Sequence, residues 1–236
     1  MEIKAHWKDK EEVNNSHYDC VAEEIYGDIN EYEKYFTELA DIEPRDEETD
    51  RTTCATVKKE TNNPKESERR FCRCLYYTNG PVKKEKQHCE NCLLNDRQST
   101  GYHAELIGNF KVISYEFVST NKVAGQGVGN VDLVLADDNF VYLTEVKPAG
   151  STETLLRMFL EIETYYRVTI RGTQYKSIAG DKPLRKAIMF FKNSEQYKAF
   201  IDPDKGQYTK DLIRLFGVTV FCVEIVDNKV LIKAIA

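Results

Sequence analysis

The sequence predicts an α/β (α+β) fold, a mixed central sheet flanked by helices, on three observations. The chain has 236 residues, 41% of them hydrophobic and 31% charged, which suits one sizeable core domain with a small appendage. From Lys111 onward, runs rich in β-branched and aromatic residues alternate with segments of helical period. No apolar run approaches the roughly 20 residues of a membrane helix, and the opening MEIKAHWKDKEEVNN is charged where a signal peptide is apolar. The expectation is a cytoplasmic protein with no membrane partner.

From Cys20 to Ala40, Val21, Ile25, Ile29, Tyr32, Phe36 and Leu39 recur at spacings of three or four, an amphipathic helix weakened at Gly27. DIEPRDEETDR (41–51) and KKETNNPKESERR (58–70) read as polar linkers. A cysteine-bearing stretch runs from Phe71 to Asp96, and GYHAELIGNF (101–110) reads as a short helix. KVISYEFVST, VDLVLA and FVYLTEV are three strands. STETLLRMFLEIETYYR returns to helical spacing, with Leu155, Leu156, Phe159, Leu160 and Tyr166 on its apolar side. KAIMFFK is a strand, SEQYKAFI a helix, and VTVFCVEIVDNKVLIKAIA a closing hairpin. Three segments result: an acidic helical segment 1–50, a basic cysteine-rich segment 51–101, and a core 102–236.

Charge is unevenly spread among them. Residues 1–50 hold 17 of the 39 acidic residues but 5 of the 33 basic ones, a net of −12 that leaves +6 for the rest of a chain whose total is −6. The acidic front reads either as a solvated helical face or as a segment that masks a basic surface or binds a partner.

The informative stretch is VDLVLADDNFVYLTEVK. Asp137, Asp138 and Asn139 form a polar break between two apolar runs, the signature of a hairpin loop. If Ala136 faces Val141, Asp132 falls opposite Glu145, and both share a face with Val134, Ala136, Val141, Leu143 and Lys147. Opposed like charges about 5 Å apart on an aliphatic face are destabilising unless something pairs with them. A divalent cation is the natural remedy, and Mg²⁺ suits two carboxylates completed by water and substrate oxygens.

Asp132 followed by Glu145-Val146-Lys147 on adjoining strands resembles the PD-(D/E)xK nuclease superfamily, with Val131 at its variable apolar position. The resemblance covers roughly residues 102–225 and implies a restriction-endonuclease-like core acting on DNA. It implies that Asp132 and Glu145 hold Mg²⁺ or Mn²⁺, with the Val146 carbonyl a further ligand, and that Lys147 positions or activates the attacking water. A glutamate from a preceding helix is often added, and Glu105 fits that place, with Glu116 a weaker substitute. Glu161 and Tyr165, four apart, are similar to the Gln-x-x-x-Tyr motif of RecB-like nucleases except that Gln is replaced; an i,i+4 contact of Glu161 with Arg157 explains the glutamate as well. Gly125-Gln-Gly-Val-Gly129 reads as a flexible loop beside the site rather than a phosphate cradle.

Cys72-x-Cys74 and Cys89-x₂-Cys92, fourteen residues apart with Gly80-Pro81 between, resemble a structural zinc site. His88 or His103 could replace one thiolate, and an iron–sulfur cluster or plain buried thiols remain alternatives. Arg69, Arg70, Arg73, Lys83, Lys84 and Lys86 around these cysteines are candidates for gripping phosphates. The sequence thus points to a metal-dependent DNA endonuclease, plausibly a homodimer. A RecB-like exonuclease with an iron–sulfur centre and a non-catalytic zinc-stabilised nucleic-acid-binding protein are the competing readings.

Overall fold

The structure, a computed structural model, describes residues 14–38, 44, 68, 71–73, 75–76, 79–80, 105–118, 129–227 and 229–236. Two helices come first, α1 (Tyr18–Gly27) and α2 (Ile29–Glu38). Strands β1 (Glu105–Ile107), β2 (Lys111–Val118), β3 (Asn130–Ala136) and β4 (Val141–Lys147) follow, then α3 (Leu155–Thr169), α4 (Gln174–Ala179) and β5 (Leu184–Phe191). The chain closes with α5 (Glu195–Ile201), α6 (Gln207–Leu215), β6 (Val218–Val226) and β7 (Lys229–Ala234).

The seven strands form one mixed sheet in the order β1-β7-β6-β5-β4-β3-β2. β2, β3 and β4 are an antiparallel meander, β4, β5 and β6 run parallel, and β7 returns antiparallel to β6. Helices supply both parallel crossovers, as such connections require. At the β3–β4 turn, Asp137 Oδ1 accepts from the amides of Asn139 (2.8 Å) and Phe140 (2.7 Å), and its Oδ2 accepts from the Tyr142 hydroxyl (2.8 Å). This turn fixes the register, and Ala136 does pair with Val141.

One face of the sheet carries Val134, Ala136, Val141, Leu143, Ile188 and Phe190, packed under α3 and α6. The other carries Leu133, Leu135, Tyr142, Val146, Ala187 and Met189, packed against Phe71, Cys72 and Leu75. That alternation is the predicted one, except that Val131 joins the α3 side. The N-terminal helices belong to the same core: Val21, Ala22, Ile25, Tyr32 and Phe36 lie in the α3-side cluster. Asp19 of α1 accepts from the Thr209 amide and hydroxyl (both 3.0 Å), capping the first turn of α6. An ion network that runs from the surface to a buried glutamate fastens α2: Arg167 of α3 pairs with the exposed Glu33 (2.7 Å) and with buried Glu163 (2.6 Å), and Lys186 of β5 reaches Glu163 (2.5 Å). The described part of the acidic front is therefore a layer packed on the same core.

Two departures concern element type. Residues 105–107, expected in a helix, form β1, parallel to β7; Leu106 and Ile107 suit a strand, the Leu106 amide donates to Asn79 Oδ1 (3.1 Å), and Gly108 at φ +114° ends it. Helices α4 and α6 were not predicted. α6 is short, nine residues, and its buried side joins Thr209 and Lys210 to Leu212 and Ile213, so it offers few apolar positions to a periodic reading.

Candidate metal centre

The ladder between β3 and β4 runs from Ala136–Val141 to Leu133–Thr144 and stops one residue short of Asp132. There a side chain replaces backbone pairing: Asp132 Oδ2 accepts from the Val146 amide at 2.8 Å. Glu145 and Lys147 continue β4 with 2% and 4% exposure, in parallel register with Ile188 and Phe190 of β5. Asp132 is half-buried as a residue.

Lys147 Nζ lies at the middle of the cluster. It donates to Glu145 Oε1 (2.6 Å) and Glu68 Oε2 (3.1 Å), and lies 3.1 Å from Glu153 Oε2 and 3.6 Å from Glu161 Oε2. Glu153 ends the loop that leaves β4, and Glu161 projects from the second turn of α3. Arg157, one turn earlier, holds Glu161 Oε1 through Nε (3.1 Å) and an Nη (2.9 Å). Thr154 caps this helix by accepting from the Arg157 amide (3.2 Å).

Five carboxylates therefore surround two cations. Burial pushes the Asp132 carboxyl up to about 6, against the opposing pull of the Lys147 ammonium and the Val146 amide. Glu68 rises to about 8 through burial and then the neighbouring Asp132, and Glu145 rises well above the carboxylate range for the same two reasons. Burial pulls Lys147 the other way, but Glu145, Glu161, Asp132 and Glu68 outweigh it and hold the ammonium charged. Tyr165, one turn beyond Glu161, has its phenol pushed well up by burial and by the charges of Glu161, Glu145 and Asp132. Its ring ends against the backbone that leads into β3, with the hydroxyl 2.5 Å from the place a Cβ on Gly129 would take.

These residues fit a divalent cation. Among the described residues, Glu145 Oε2 is buried with no hydrogen-bond partner. One oxygen from each of Glu145, Glu153 and Glu161 lies within 4.8 Å of the others. Oxygen ligands of Mg²⁺ stand about 2.1 Å from the ion, hence about 3 to 4 Å from one another, a contraction small carboxylate rotations supply. Hard oxygen donors and surplus negative charge match Mg²⁺ or Mn²⁺ rather than a soft metal.

Of the residues expected at the site, Asp132, Glu145, Val146 and Lys147 converge, and Glu161 and Tyr165 join them. Glu105 does not: it lies on β1, with β7, β6 and β5 between its strand and β4. A strand at the far edge cannot deliver it to the β3–β4 end, and Glu68, on helical backbone four residues before Cys72, reaches Lys147 instead. Glu116 is in register with the irregular Asp132 position, in left-handed backbone at φ +46°. Cys72 is placed in the apolar layer beneath the cluster, 1% exposed, where burial and the charge of Asp132 push its thiol well up. Cys74, Cys89, Cys92, His88, His103, Arg69, Arg70, Lys83, Lys84, Lys86 and residues 125–128 lie outside the described residues, and Arg73 is half-buried. Among the described residues no helix is long and apolar enough to cross a membrane. No protein family, curated protein or solved structure matches the chain.

Proposed function

We propose that this protein is a metal-dependent nuclease that hydrolyses phosphodiester bonds in DNA, on a restriction-endonuclease-like core of the PD-(D/E)xK type and acting as an endonuclease. The observation that carries the reading is the convergence of Asp132, Glu145 and Lys147 at the parted end of the β3–β4 hairpin, with the partnerless oxygen of Glu145 among them. Asp132 and Glu145, with the Val146 carbonyl, would hold the cation. When bound, Mg²⁺ or Mn²⁺ lowers the pKa of water and offsets charge that grows on the phosphoryl oxygens.

The chain's own groups then divide the remaining work. Lys147 donates to Glu145 and Glu68, which places it to orient water and attract phosphate beside the cation. Glu68, 3.1 Å from the same ammonium, fixes where Lys147 points. Arg157, with a quarter of its side chain exposed, borders the cluster as a second positive group. The cysteine segment, with structural Zn²⁺ and its lysines and arginines, would supply further grip on DNA, and a homodimer would cut both strands.

Purified protein incubated with supercoiled plasmid in Mg²⁺ or Mn²⁺, in EDTA, and beside a Lys147→Ala variant tests the proposal. Metal-dependent nicking lost in the variant supports it, and equal cutting by both proteins refutes the assigned site. Glu161 and Tyr165 favour one second reading, a RecB-like exonuclease, because both reach the centre from α3. Degradation of linear DNA with sparing of closed circles would select it.

A further inference from the structure

We propose that Glu153 is an additional ligand of the divalent-cation site and that Gln196, from α5, is the residue that positions it. The inference deepens the metal-centre reading and rests on it. Glu153 is the only carboxylate of the oxygen triad carried by a loop; Glu145 is fixed in β4 and Glu161 in α3.

The loop from Pro148 to Thr154 would leave Glu153 poorly placed without outside support, because a coordinating carboxylate must be held to within a fraction of an ångström. Gln196 supplies that support. Its side chain is 2% exposed, and its amide nitrogen donates to the carbonyls of Ser151 (3.0 Å) and Glu153 (2.6 Å). Ser151 Oγ accepts from the Glu153 amide (3.2 Å), and Asn14 Oδ1 accepts from the Thr154 amide (3.0 Å). Both backbone groups of Glu153 are thereby held. Gln196 is fixed in turn, since Ser194 caps α5 by accepting from the Tyr197 amide (3.1 Å). A buried side chain that spends both amide hydrogens on one loop, two residues apart, does more than fill space.

The buried, partnerless oxygen of Glu145 points to a cation in this triad independently of the clustering of acids. Glu153 Oε2 is also buried, 3.1 Å from Lys147 Nζ but without hydrogen-bond geometry, so the ammonium does not saturate it.

The test is a double-mutant cycle on Mn²⁺ affinity, read by water-proton relaxation with the full chain and no substrate. Glu153→Gln and Gln196→Met should each weaken Mn²⁺ at least about tenfold, as loss of a ligand or of its outer support does. In the Glu153→Gln background, Gln196→Met should add less than about twofold, because Gln196 acts through Glu153. Equal, additive losses would make Gln196 a structural residue only and overturn the positioning. Unchanged affinity in Glu153→Gln, a conservative variant expected to fold, would overturn the ligand assignment. A wild-type chain that binds no Mn²⁺ would overturn the inference and the metal centre together. Binding with this pattern but without DNA cutting would support the inference while refuting the nuclease reading.

Discussion

Replacing Lys147 by methionine removes the ammonium that four carboxylates face at 2.6 to 3.6 Å and keeps most of the side-chain volume. Glu145 and Lys147 are almost fully buried, so the variant leaves uncompensated charge away from water. Breaking a buried ion pair by deleting one partner costs about 3–5 kcal/mol. For a chain of this size each kcal/mol lowers Tm by about 2–4 °C, so the expected loss is about 10 °C. The raised carboxyls of Glu68, Asp132 and Glu145 can escape by taking up protons, and the loss should shrink towards pH 5. Saturating Mg²⁺ should also restore the variant more than it stabilises the wild type, because it replaces the missing charge. Thermal unfolding followed by circular dichroism at pH 5.0 and 7.5, in EDTA and in Mg²⁺, gives all three comparisons. A Tm at pH 7.5 within about 2 °C of wild type, insensitive to Mg²⁺, would refute the picture of a buried acidic cluster balanced by Lys147.

Further expectations follow from the same geometry. In EDTA the wild type should lose stability as pH rises from about 4 to about 8: Asp132 (about 6) and Glu68 (about 8) bind protons in the folded state over that window and not in the unfolded chain, where carboxyls titrate near 4; Mg²⁺ should flatten the decline, and a stability that rises over this range would contradict it. Gly129→Ala would push a methyl onto the buried Tyr165 hydroxyl and displace the ring beside the acidic centre, so Mn²⁺ affinity should fall several-fold with little change in Tm; an unaltered Mn²⁺ titration would show that Tyr165 and Gly129 do not bear on the site. Deleting residues 1–38 should abolish cooperative unfolding, because Val21, Ile25, Tyr32 and Phe36 each contribute about 1.5–3 kcal/mol of burial to a domain whose whole margin is about 5–15 kcal/mol; a truncated chain that melts sharply and binds DNA more tightly would restore the masking idea.

The hairpin was legible because its signal is local. Asp137, Asp138 and Asn139 announce the turn, the turn sets the register, and the register places Asp132 beside Glu145 before any tertiary contact is known. The helical period of α3 was equally plain, and with it the arrival of Glu161 and Tyr165 on one side. Glu68 was not legible, since KKETNNPKESERR looks like a polar linker. Glu68, Phe71, Cys72 and Leu75 do repeat at helical spacing, but a stripe of four positions that includes a cysteine of a Cys-x-Cys pair carries the pattern of a metal site as well as that of a helix. Glu105 was misplaced because a spacing in sequence says nothing of strand order: β1 pairs with β7, at the chain's other end. Glu153 and Gln196 were invisible for a related reason. They are 43 residues apart, and only the β4–α3 and β5–α5 connections, side by side at one end of the sheet, bring them together.

We propose that the parted end of the β3–β4 hairpin holds a cation used to cut DNA. Asp132→Asn tests it most directly, because asparagine can still accept the Val146 amide and keep the hairpin end intact while removing one ligand charge. Nicking of supercoiled plasmid should be measured at a series of Mg²⁺ concentrations for wild type and variant, with EDTA as the zero point. The account predicts metal-dependent nicking by the wild type and at least about a hundredfold loss in the variant, on the scale of removing one transition-state-stabilising group. Nicking that persists in EDTA, or that the variant performs at the wild-type rate, would contradict it.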